Sequence, residues 1–205
     1  MIVFEYYKLD GAEFISHLDM LRHIGKTLYR AKIPVALSQG FHPHRQIFLS
    51  PPIFVGLKTK SEYCLVDTTE EAESFMEKFN AFSPRGIKCV KAFKVEKKHK
   101  VAAIINQAEY EIEGVNYFDV NEILNSQILE IEIKGEKKNV RSKILNLRFN
   151  EDNRLIATLS FGNDVLRADV FTNYLISRYG GKITNLIKTK AFIDGVLASE
   201  VFKKD

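Results

Sequence analysis

Ser16-His-Leu-Asp-Met-Leu-Arg-His-Ile-Gly-Lys-Thr-Leu-Tyr-Arg-Ala-Lys32, preceded by Ile2-Val-Phe-Glu-Tyr-Tyr-Lys8, decides how the chain begins to fold. Residues 2–8 alternate with the two-residue period of a strand. From Ser16 the period changes. Leu18, Leu21, Ile24, Leu28 and Ala31 gather on one side of a helical wheel; Asp19, Arg22, His23, Lys26 and Arg30 fall on the other. Ser16 suits the N-cap, Asp19 completes a weak capping box, and Ile15 can staple onto Met20. Pro34 cannot continue a helix, so the element ends near Lys32.

Outward from this helix, short strands are expected at 35–37, 47–49 and 53–57, around the Pro51-Pro52 interruption, and at 62–67. A second helix over 70–82 carries the apolar stripe Phe75, Met76, Phe79 and Phe82. The turn Ser83-Pro-Arg-Gly86 leads to a strand at 87–95. The second half repeats this order more loosely. It has a strand at 108–113, a short helix at 120–125, a strand at 128–133, a hairpin around Asn150-Glu-Asp-Asn153, a helix at 165–179 and a strand at 183–192. Each half approximates βαββαβ. The expected fold is therefore α+β, two tandem ferredoxin-like domains over 1–98 and 101–205, with Glu96-Lys-Lys-His-Lys100 as the joint.

At 205 residues and 45% hydrophobic content the chain can bury a sizeable core. No apolar run approaches the roughly 20 residues that cross a bilayer. The first ten residues read as a strand, without the features of a secretion signal. Cys64 and Cys89 are too few and too isolated for a disulfide framework, so reduced thiols and a cytoplasmic location are expected. The formal charge of +4 permits a polyanionic partner without requiring one.

Four of the five histidines (His17, His23, His42 and His44) fall between residues 17 and 44, interleaved with Arg22, Lys26, Arg30, Lys32 and Arg45. Arg22, His23, Lys26 and Arg30 read either as a solvated helix face or as a stripe tracking a phosphate backbone. The segment Ser38-Gln-Gly-Phe-His-Pro-His-Arg45 is the least core-like; Gln39, His42, His44 and Arg45 supply donors and acceptors for phosphate, sugar or base edges. Phe41 either stacks on a base or plugs the core. His17 reads as a partly buried helix-start histidine or as a base at a helix N-terminus. His42 and His44 alone provide two metal ligands and no third, so neither a metal nor a cofactor is expected. Glu62 and Asp67 read as solvated carboxylates within reach of Arg22 or Arg45. Nucleotide-loop, serine-hydrolase and zincin motifs do not occur.

The residues Phe14-Ile-Ser-His-Leu-Asp19, Arg22, Pro34-Val35, Ser38-Gln-Gly-Phe41, Pro43-His44, Val55-Gly56 and Glu62-Tyr63 resemble a bacterial family of radical SAM-linked proteins. In that family the loop usually reads Gln-Gly-Phe-Asn-Pro-His; here His42 stands in the asparagine's place, and Arg45-Gln46 where a Pro-Lys pair is common. The chain lacks the CxxxCxxC triad, so any radical chemistry would belong to a partner. The resemblance implies RNA handling, because such modules accompany enzymes that look like RNA modifiers.

The functional expectation is a non-catalytic RNA-binding module, presenting tRNA or ribosomal RNA to a radical SAM enzyme. Arg22, His23, Lys26, Arg30, Gln39, His42, His44 and Arg45 would contact the RNA. Two alternatives stay open: a protein-interaction adaptor for such an enzyme, and a metal-independent RNA-processing endonuclease using His17, His42 or His44 as acid or base.

Overall fold

A computed structural model describes all 205 residues. The first half comprises β1 (Ile2–Lys8), α1 (His17–Arg30), β2 (Ile47–Leu49), β3 (Lys58–Val66), α2 (Ala72–Phe82) and β4 (Ile87–Lys94). After α3 (Val101–Ile104) come β5 (Gln107–Val115), α4 (Asn121–Leu124), β6 (Glu130–Ile133) and β7 (Glu136–Asn139). The chain closes with β8 (Ile144–Phe149), β9 (Leu155–Ser160), α5 (Ala168–Tyr179), β10 (Gly181–Ile193), β11 (Val196–Leu197) and α6 (Ala198–Lys203).

Both halves contribute to one large, mostly antiparallel sheet in the order β4-β1-β3-β10-β5-β9-β8, with β2 on β3 and β11 on β10. Only the central seam is parallel, where Ile187 and Lys188 of β10 meet Lys58 and Thr59 of β3. Strand alternation distributes the core to both faces. Ile2, Phe4, Tyr6, Cys64 and Val66 pack beneath Met20, Ile24 and Leu28 of α1 and Phe75 and Phe79 of α2. Val3, Tyr63 and Leu65 face the other way, towards Val101 and Phe202, in a larger cluster that continues beneath α5. No helix is long and apolar enough to cross a membrane.

Several local expectations change. The strand expected at 35–37 reduces to a single bridge between Leu37 and Arg45. Residues 53–57 form no strand; they make a strap over the seam, because β2 and β10 already occupy that edge of β3. The strand at 128–133 shrinks to β6, which pairs only with β7 in a separate ribbon. Leu18 is exposed although the wheel puts it on the apolar side.

Candidate nucleic-acid interface

α1 is fixed at both ends by its own sequence. Ser16 Oγ accepts from the Asp19 amide (3.2 Å) and donates to the Asp19 carboxylate (2.8 Å). At the other end Lys32 takes a left-handed conformation (φ 54°). Its amide donates to the Tyr29 carbonyl (3.1 Å) and the Ile33 amide to the Leu28 carbonyl (3.0 Å), a Schellman closure that buries Ile33 beside Leu28. With the Met20–Ile24–Leu28 stripe turned to the sheet, Arg22, Lys26, Tyr29 and Arg30 face outwards.

The 38–45 loop is closed across its neck. The Ser38 amide donates to the His44 carbonyl (2.8 Å), the His44 amide donates to Ser38 Oγ (3.0 Å), and Ser38 Oγ hydrogen-bonds to His44 Nδ1 (2.8 Å). Gly40, at φ +119°, makes the turn that other residues would resist. An added Cβ at Gly25 would meet the Ile47 side chain at 3.7 Å, an ordinary contact, so the approach of β2 to the helix does not depend on glycine there.

Between helix and loop lies an open groove of about 1040 Å³, walled by Arg22, Lys26, Tyr29, Arg30, His44 and Arg45 among others. No carboxylate lines it. A second depression of about 600 Å³ shares Tyr29, Arg30, Leu37 and Arg45 with it and adds Lys32. The Arg45 guanidinium lies over the Tyr29 ring, 5.4 Å from its centre, and both residues line both hollows. Arg22 pairs with Asp19 at 2.8 Å, with both side chains largely exposed. Hydrogen bonds from Ser16 and then Arg22 hold the Asp19 carboxyl below its ordinary range. Arg30 donates to the Phe82 carbonyl (3.1 Å) at the end of α2, which steadies the far wall.

The groove thus takes in Arg22, Lys26, Arg30, His44 and Arg45 of the expected contact residues. His23 is half-buried and does not line it; Gln39 and His42 are exposed on the loop, away from its walls. His17 sits one helical turn before Leu21, above a cavity of about 10 Å³ lined by Tyr6, Lys8, Met20, Ile53 and Glu62, room for one water at most. His17 is exposed on its outer side, and the partial desolvation of its ring over this cavity lowers its pKa, against the pull of Glu62, with Lys8 adding to the lowering. Lys97 is exposed, and the other four lysines between 88 and 98 are engaged elsewhere. Lys88 caps the Asn80 and Ser83 carbonyls, Lys91 and Lys94 pair with Glu5 and Glu71, and Lys98 donates to Gln46.

Tyr29 and Leu37 are not among the residues singled out from the sequence, although Tyr29 follows Lys26 and Gly25 by one turn on the same face; Lys32 is noted there as one of the interleaved cations but not as a contact residue. A buried ion pair escaped it too. Glu62, read as a solvated carboxylate, is 4% exposed and accepts from Lys188 (2.7 Å), Ser50 (2.9 Å) and Thr59 (3.2 Å). Both cysteines are buried thiols, and burial pushes Cys89 up to about 12.

A family model described as "Uncharacterized protein conserved in bacteria (DUF2344)" matches residues 2–168. The chain belongs to this family. No curated protein matches it. In this DUF2344 protein every groove residue falls within the matched span, as does Glu62, whereas Lys188 lies beyond it.

Proposed function

We propose that this protein is a non-catalytic RNA-binding module of the cytoplasm that presents tRNA or ribosomal RNA to a radical SAM enzyme. It would be built from two ferredoxin-like units fused edge to edge. The order β4-β1-β3, with β2 beyond β3, and the order β10-β5-β9-β8 support the fused-unit reading. The resemblance over residues 14–67 supports the partner. The RNA reading is carried by one observation: the groove brings four permanently charged side chains and an imidazole together with no carboxylate on its walls. Backbone phosphates are the polyanion such a wall suits. Only one imidazole, His44, faces the groove, whereas an acid–base nuclease would need a second group placed there.

Salt dependence tests this reading. Arg22, Lys26, Arg30 and Arg45 correspond to a log–log slope of about −2.8 for single strands, or about −2.1 if Asp19 offsets Arg22. Affinity should therefore fall about 20- to 50-fold between 50 and 200 mM salt. Lys26→Ala should flatten the slope by about 0.7. RNA binding that ignores salt, or no binding to cellular RNA, ends this reading. A protein partner recovered after nuclease treatment, with no RNA affinity in the isolated chain, supports the adaptor in its place.

A further inference from the structure

Phe41 stands at the tip of the 38–45 loop with a relative exposure of 102%, so it plugs nothing. Burying a phenylalanine is favourable, and the chain forgoes that here. Isolated surface hydrophobics are ordinary; three features of the setting distinguish this one. The loop is pinned at its neck by the Ser38–His44 hydrogen bonds, so the ring is held out from an ordered support. The base of the same loop, Pro43 to Arg45, is a wall of the cationic groove. Tyr29, 71% exposed, offers a second aromatic surface there with the Arg45 guanidinium over it.

Resting on the RNA-binding reading, we propose that the groove takes unpaired nucleotides, with one base stacked on Phe41 and another on the Tyr29–Arg45 pair. The physical reason is access. In an A-form duplex the base faces are covered by their neighbours, and a ring at a loop tip meets only phosphate, sugar and base edges; in a loop, bulge or single strand the base faces are free. Cations tracking the backbone beside aromatic platforms are the combination used for single strands. An acidic protein surface would satisfy the cations equally, but a planar face for each platform is a regular feature only of unpaired bases along a phosphate backbone.

The chain contains no tryptophan, so Phe41→Trp creates a single emission probe at an exposed position that leaves the fold intact. The full chain would be titrated with an unstructured oligoribonucleotide and with a perfect duplex of the same length. Tryptophan emission should be quenched by the single strand and not by the duplex. Phe41→Ala should weaken single-strand binding about 5- to 150-fold, the range for losing one stacked base, with the salt slope unchanged. Lys26→Ala should do the reverse, flattening the slope. Duplex binding as tight as single-strand binding, or a Phe41→Ala effect within about twofold, overturns the assignment while RNA binding itself stands. Failure of both RNAs to bind overturns the RNA reading and this inference with it.

Discussion

Replacing Lys188 by methionine should cost far more than its single hydrogen bond suggests. The ammonium is fully buried, 2.7 Å from a Glu62 carboxylate that is itself 5% exposed, and 4.4 Å from the centre of the Phe161 ring. Methionine keeps much of the apolar stem, so little cavity cost should enter. What remains is a buried carboxylate with only the Ser50 and Thr59 hydroxyls as direct donors. Breaking a buried pair from one side costs about 3–5 kcal/mol. Lys8 lines the same cavity without closing an ion pair to Glu62, so the lower end of that range is expected. With an m-value of about 3 kcal/mol/M for a chain of this length, the urea midpoint should fall by about 1 M. Lys190→Met is the internal control. That lysine is 3.0 Å from Glu109 but 44% exposed, and Glu109 retains Arg148 and Thr189, so its loss should stay under about 1 kcal/mol. The double variant Glu62→Gln, Lys188→Met should regain most of the loss, because no orphan charge is left. Circular dichroism during urea titration reads all three. Equal losses for Lys188→Met and Lys190→Met, or a double variant no better than the single, would refute the account of a desolvated pair.

Two further predictions concern α1. Lys32→Gly should stabilise the protein by up to about 1 kcal/mol, since a left-handed conformation penalises L side chains and glycine adopts it freely; thermal melts check this, and a lower melting temperature contradicts the Schellman closure. His17 should titrate below the ordinary imidazole value of about 6.5, because partial desolvation disfavours its charged form. A depressed folded pKa means that the unfolded chain binds the proton more readily. The His17 contribution is therefore present above the unfolded pKa and is lost as pH falls through the window below it. NMR titration of the His17 Cε1 proton decides this, and a midpoint at or above the ordinary value removes the argument.

What the sequence made legible was local. α1 could be read because its determinants lie within one element: the Ser16–Asp19 cap, the Ile24–Leu28–Ala31 spacing and the stop at Pro34; Met20, which is buried, stood outside the stripe read from the wheel. The polar loop could be read because glycine and proline leave it no regular alternative. Leu18 misled because a wheel gives an angle, not a neighbour, and nothing covers that side chain. The misread strap and the misread Glu62 share one cause. Residues 53–57 have the composition of a strand, but the edge of β3 they would extend is taken at Lys58 and Thr59 by Ile187 and Lys188, from far along the chain. That competition for one edge leaves no local trace. It also brings Lys188 beside Glu62, and Ile53 of the strap shares one hollow with Glu62 and another with Phe161, the ring that lies against Lys188. Lys188 sits in an alternating strand in which every second residue could face water. Period-two patterning cannot distinguish a lysine that reaches solvent from one that meets a buried carboxylate. By the same pairing, the seam that hides these two charges joins the half bearing the groove to the half bearing α5. A variant that loosens the pair should therefore disturb the mutual placement of the halves before it disturbs the cationic groove on the outer face of α1.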